Sequence, residues 1–389
     1  IYMEVRSLNL PLSIGIILFI LFAAAYFGIK VLKIPDVVIY ILFGAGIALC
    51  GYIEDTKIIE VAGEIGLILM FFLLGMKFSL KEIAAKGKKV WKPGVLDLVL
   101  GVGVTFCICL LAGQDLFTSF LIGTLVYATS SSITVKLLEH KNRLEHKESG
   151  YILSILIFED LAAPILISIL ISLNSDGFTF TEFAMIFLKA GLLLGAALLT
   201  GKWLFGKAHD LIDKFTHQDY FVIFVLGIAL LFGGLALYLE LSEVIGAFLA
   251  GLMLSDTEFK VKVKEVVMPV RNLLLPFFFL NFGLSLEFTA DIPALGLLAI
   301  IIIWSVLHKL IVGLAGGKLY GLNAEQSLQA GLSLTARGEF SVIVAGIAAG
   351  GLKVFSGIYI LSAALIGMVL FTLSPHVSKL ILKKKKQAA

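Results

Sequence analysis

Charge is what this sequence has least of. Of its 389 residues only 15% are Asp, Glu, Lys or Arg, while 59% are hydrophobic, and the mean hydropathy is +1.02. A soluble domain carries about 25% charged and 45–50% apolar residues, so a water-soluble globule is excluded. Cysteine is scarce too: Cys50, Cys107 and Cys109 lie in apolar stretches without C-x-x-C spacing. That excludes a disulfide framework or a thiolate metal centre and leaves them as small packing residues. No TVGYG-type filter of a channel is present, nor the H-E-x-x-H or G-x-G-D of a protease. The formal net charge of +3 defines no basic surface for nucleic acid.

What is present is a series of apolar runs of roughly 20 residues, each long enough to cross about 30 Å of hydrocarbon. Thirteen spans are expected, at 10–32, 35–53, 58–77, 92–113, 115–137, 147–173, 181–206, 219–240, 243–256, 266–286, 291–316, 325–350 and 356–382. The first is too long for a signal peptide's apolar core, and Lys30 and Lys33 follow it. With the N-terminus outside, 25 of the 31 Lys and Arg residues fall on the inner side, and only Arg6, Lys57 and Lys353 fall outside. This asymmetry sets the orientation, with the C-terminus in the cytoplasm. The run Lys383–Lys386 reads as an anchor with anionic lipid contact.

Ionisable residues inside the bilayer are costly and mark function. They concentrate in three spans: Glu159 and Asp160 in span six, Lys309 in span eleven, Arg337 and Glu339 in span twelve. Facing lipid, the five would cost on the order of 12–18 kcal/mol on the insertion scale, so they must face one another or water. Asp97 and Glu64 are further near-membrane acids without an assigned role, and His140 and His146 share a loop expected to be solvated. Spans five and twelve look interrupted at mid-membrane, by Thr129, Ser130, Ser131, Ser132 and Thr134 in one and by Thr335, Arg337, Gly338 and Glu339 in the other. Hydroxyls that compete for backbone hydrogen bonds, and glycine, favour unwinding there. Span twelve follows span five by seven spans, so the two run in opposite directions. Spans 1–6 and 8–13 then form inverted halves with span seven between them, the layout of an alternating-access transporter. Arg337 and Glu339 are placed to neutralise the opposed helix-end dipoles. A sodium-coupled organic solute carrier could share this architecture.

At ATSSSITVKLLEH and ILSILIFEDLAAP the chain begins to resemble the CPA2 family of monovalent cation/proton antiporters. SEVIGAFLAGLMLSDTE, MPVRNLLLPFFFLNFGLSLE and TARGEFSVIVAGIAAGGL continue the resemblance in order over essentially the whole chain. The Glu-Asp pair, MPVRN and RGEFSVIVA look most like KhtU-type potassium–proton antiporters. The Kef and NapA types are also similar, and Lys309 matches their lysine and departs from the KhtU pattern. The resemblance implies an all-α fold with two crossing discontinuous helices, no cofactor, and K⁺ or Na⁺ exchanged for H⁺. It implies a cation and proton site at Asp160 with Glu159, Ser130, Thr129 and Ser131, and Lys309, Arg337 and Glu339 as compensating charges. Glu159 is the expected partner of Lys309. It further implies a homodimer with a scaffold at 1–90 and 208–288, a moving core at 91–180 and 289–389, and a linker helix at 181–207. A cytoplasmic nucleotide-binding regulator is also implied, either as a separate subunit or as a C-terminal domain beyond this chain.

Overall fold

The computed structural model describes residues 10–28, 30, 36–50, 56–77, 90–173, 188–189, 191–193, 195–197, 199–200, 220–239, 241–255, 257–286 and 295–387. The described residues are almost wholly helical. In chain order the helices are α1 (Leu10–Phe27), α2 (Asp36–Cys50), α3 (Lys57–Gly75), α4 (Val90–Leu111), α5 (Leu116–Tyr127), α6 (Ser131–His140) and α7 (Lys147–Leu173). They continue with α8 (Phe221–Tyr238), α9 (Glu243–Leu254), α10 (Lys260–Leu284), α11 (Leu295–Tyr320), α12 (Ala324–Ser333), α13 (Glu339–Ile347) and α14 (Gly350–Gln387). Among the described residues, seven helices are long and apolar enough to cross a membrane, and the shorter apolar ones include α2, α5 and α9. Most of span seven, 181–206, lies outside the described residues.

Spans five and twelve are each two helices meeting at an extended break: α5 and α6 around 128–130, α12 and α13 around 334–338. The sequence placed both interruptions within a few residues, because hydroxyls and glycine mark them. A second pair of irregularities had no such signal. α4 carries a π-helical turn at Val99–Val104 and α11 one at Val312–Gly316. Each follows a buried charged residue within one turn, Asp97 in α4 and Lys309 in α11. Such turns leave a carbonyl without its ordinary helical donor. In α11 the Tyr151 hydroxyl donates to the Val312 carbonyl at 2.7 Å.

Glycine sets the close packing of α2, α3, α9 and α10. A Cβ on Gly44 or Gly283 would strike the backbone of the facing helix, and the same holds between Gly75 of α3 and Gly251 of α9. Small residues of this kind let helix backbones approach where lipid supplies no hydrophobic drive. Two cavities lie between these helices and the rest. One, of about 600 Å³, is lined by Lys77, Arg271 and Asp36 and by Ser131 and Glu339 of the broken helices. The other, of about 420 Å³, is lined by Glu60, Glu64, Glu243 and Lys353. They open at opposite ends of α3 and α10 and come closest between Leu67 and Met70. Nearby, the Phe71 ring of α3 meets the Phe340 ring of α13 edge-on at 5.4 Å.

The loop between α6 and α7 is exposed over 141–147, as expected, except at Arg143. Arg143 and Glu148 are buried, 3.4 Å apart, and Arg143 also bonds to Ser374 at 3.1 Å and lies over the Phe371 ring. Burial is the main cause that lowers the Arg143 pKa from its ordinary value, with Glu148 opposing it. His146 keeps an exposed side chain, 3.1 Å from Glu148. Removing one member of a buried pair leaves an uncompensated charge costing about 3–5 kcal/mol. Arg143→Met should therefore lower the melting temperature in detergent by many degrees. Lys262→Met, which loses an exposed pair with Glu265, should leave it almost unchanged.

Candidate cation and proton site

The two breaks cross, and the contacts between them are main-chain as well as side-chain. The Ser130 N–H donates to the Ala336 carbonyl at 2.9 Å, and the Thr129 hydroxyl lies 2.9 Å from the Leu334 carbonyl. The Ser130 hydroxyl donates to Glu339 at 2.9 Å and caps α6 by accepting the Ile133 N–H at 3.3 Å. Gly338 makes this approach feasible: a Cβ there would sit 2.5 Å from the Ser130 Cβ. Gly338→Ala should force the crossing apart, costing about 1–3 kcal/mol by overpacking. Transport should fall far more than the yield of folded protein, as paired flux and size-exclusion measurements would show.

At the crossing the ends of four half-helices lack intrahelical partners, and charges sit at the two that belong to α12 and α13. Arg337 donates to the Leu334 and Thr335 carbonyls at 3.1 and 3.2 Å, at the negative end of α12. Glu339 opens α13, where the dipole favours an anion.

Glu159 and Asp160 are adjacent on α7 but face different surroundings. Glu159 has no exposure; its Oε1 accepts from Lys309 Nζ at 2.8 Å and lies 3.0 Å from the Thr129 hydroxyl, and its Oε2 accepts the Thr129 N–H. Lys309 is shared. Its ammonium also reaches both oxygens of Asp97, at 2.7 and 3.0 Å, and lies 5.7 Å from the centre of the Tyr127 ring. Sequence reasoning paired Lys309 with Glu159 and missed Asp97. The available signal was charge balance, since a second acid in the symmetry-related span could complete the lysine's coordination.

Asp160 is 4% exposed, and its Oδ1 has no hydrogen-bond partner. Ser131, which lines the 600 Å³ cavity, opens α6 near this carboxyl. Pro164, four residues further along α7, has no N–H, so the Asp160 main-chain carbonyl lacks its helical donor as well. A carboxylate, a hydroxyl and a carbonyl are hard oxygen ligands suited to an alkali or ammonium ion. Thr129 and Ser130, expected beside the cation, are instead engaged by Glu159 and Glu339 in this conformation.

Two broken helices crossing at mid-bundle over a buried carboxylate, with cavities on opposite sides, define a secondary transporter of inverted-repeat construction. Residues 17–384 match the family described as sodium/hydrogen exchanger, transmembrane, and the chain belongs to that family of cation/proton antiporters. It is an integral membrane protein and a transporter that needs no cofactor. The chain is 46% identical over 378 residues to a protein of Alkalihalophilus pseudofirmus named ammonium/H⁺ antiporter subunit AmhT, covering 97% of this chain and 96% of that one. It is 27% identical over 339 residues to the K⁺/H⁺ antiporter subunit KhtU of Bacillus subtilis, covering 85% and 83%. Among solved structures it is similar to the sodium proton antiporter MjNhaP1 from Methanocaldococcus jannaschii, with a TM-score of 0.69 over 94% of this chain and 97% of that one. At 18% identity, this last likeness speaks to the fold alone.

Proposed function

We propose that the protein exchanges a monovalent cation for protons by alternating access, with Asp160 as the shared carrier and Ser131 and the Asp160 carbonyl as nearby oxygen ligands. The observation that supports this most is the unpartnered carboxyl oxygen of Asp160, buried near the helix break whose Ser131 lines the 600 Å³ cavity. A carboxylate closed away from water resists ionisation and holds a proton. A cation arriving from the cavity stabilises the ionised form and displaces that proton. If the core changes its facing only when Asp160 is neutralised by one or the other, competition suffices for antiport.

The relatives' names favour potassium or ammonium over sodium. These two ions are of near-equal size, so a site that fits one accepts the other; sodium, named for a relative in Bacillus cereus, is the second reading. Helices α1–α3 and α8–α10 are the scaffold of a homodimer. Spans 4–6 and 11–13 are the moving core, and span seven links the halves. The sparse, cavity-lined boundary between the two groups supports this division. The positive-inside asymmetry supports a cytoplasmic position for the Lys77 and Arg271 cavity, and the bacterial relatives support a prokaryotic plasma membrane with the basic tail at its anionic lipids. The word subunit in both relatives' names supports a separate regulatory partner. Proton release from acid-loaded proteoliposomes on adding K⁺, NH₄⁺, Na⁺ or Li⁺ in turn tests the reading. Release by K⁺ and NH₄⁺ is expected; release by Na⁺ and Li⁺ alone would reverse the choice of ion.

A further inference from the structure

Asp97 lies outside the cation's reach yet at the head of a bonded chain that ends in the broken helix. Lys309 has three ammonium hydrogens and three acceptor oxygens within 3.0 Å: both of Asp97 and one of Glu159. The second oxygen of Glu159 takes the Thr129 N–H at the break. The chain Asp97–Lys309–Glu159–Thr129 therefore links α4, α11 and α7 to the segment that presents Ser130 and Ser131. None of the three charged side chains has any exposure, so water cannot substitute for a lost member. The other groups facing the cluster do not supply an alternative anion. His308 Nε2 lies 3.6 Å from Asp97, and neither of its ring nitrogens is hydrogen-bonded. Tyr127 presents its ring to the ammonium, and Arg337 is held by carbonyls.

We propose that Asp97 is a positioning residue of the exchange reaction: by holding Lys309 through both oxygens it limits that ammonium's claim on Glu159, so that Glu159 keeps the Thr129 N–H and fixes the break beside Asp160. This rests on Asp160 being the carrier. Without the Asp97 charge, Lys309 turns wholly to Glu159 and draws it from the Thr129 N–H. The Ser131 hydroxyl then shifts relative to Asp160. Binding geometry suffers, while the neutralised carrier still moves.

The test uses the reconstituted full chain, with concentration series of K⁺, NH₄⁺ and Na⁺ for wild type, Asp97→Asn and Asp97→Glu. Asp97→Asn should raise the apparent KM of the preferred cation by about fivefold or more, with the maximal rate within about twofold. The KM ratio between K⁺ and Na⁺ should move towards one. Asp97→Glu keeps the ion pair, and so folds even if Asp97→Asn does not. Its added methylene pushes the ammonium towards Glu159, so KM should rise about twofold with the same change of selectivity. Unchanged KM values and selectivity in the folded variants, with only the maximal rate reduced, would overturn the role given to Asp97. Absence of cation-driven proton movement in the wild type would instead overturn the carrier reading and this one with it.

Discussion

Asp160→Asn is expected to abolish cation-driven proton flux while leaving the protein folded. The amide matches the carboxyl in size, so the packing around a residue 4% exposed is kept. It can neither ionise nor release a proton, so both halves of the exchange lose their carrier. Oδ1 of the native side chain has no hydrogen-bond partner to lose, and among the described residues no ion pair within 4 Å involves Asp160, so melting temperature should move little. Glu339→Gln differs in kind, because Glu339 already accepts the Ser130 hydroxyl and faces the dipole of α13. It should slow exchange without eliminating it. Coupled exchange by Asp160→Asn above a few per cent of wild type would send the search for the carrier to Glu339.

Lys309→Ala is expected to have the largest effect on stability. The substitution leaves Asp97 and Glu159, both without exposure, deprived of the one ammonium between them. Removing one partner from a buried pair costs about 3–5 kcal/mol, and here two carboxylates are left uncompensated. Glu159→Gln in the Lys309→Gln background should recover part of the loss, and adding Asp97→Asn should recover more. Thermal unfolding in detergent through this cycle measures the coupling directly. Additive losses among Asp97, Glu159 and Lys309 would contradict the three-membered cluster.

How much could be read from sequence depended on whether a feature is local. The breaks were legible because Thr129–Ser132 and Thr335–Glu339 concentrate hydroxyls, glycine and charge at one depth. Their opposite direction followed from counting spans. A buried ammonium demands an acid, and the resemblance to NapA-type antiporters pointed to Glu159 as the partner of Lys309. The Asp97 contact was not, since one acid near the start of α4 has no local feature that distinguishes it from an interfacial residue. The π-turns at Val99–Val104 and Val312–Gly316 were equally hidden, because glycine within an apolar helix reads as packing. The burial of Arg143 and Glu148 was missed because it depends on Phe371 and Ser374, more than 200 residues away in the chain. Thr129 and Ser130 lie at the crossing, and the engagement of their hydroxyls depends on which acids the fold brings there.

Competition of proton and cation for one carboxyl is tested most directly by the apparent KM of the transported cation in proteoliposomes as pH is varied. If Asp160 holds either a proton or the cation, KM should rise by up to about tenfold for each unit of pH lowered on the acid side, by mass action. The maximal rate at saturating cation should change far less. A KM independent of pH across the active range, with pH acting only on the maximal rate, would show that the two ions do not share Asp160.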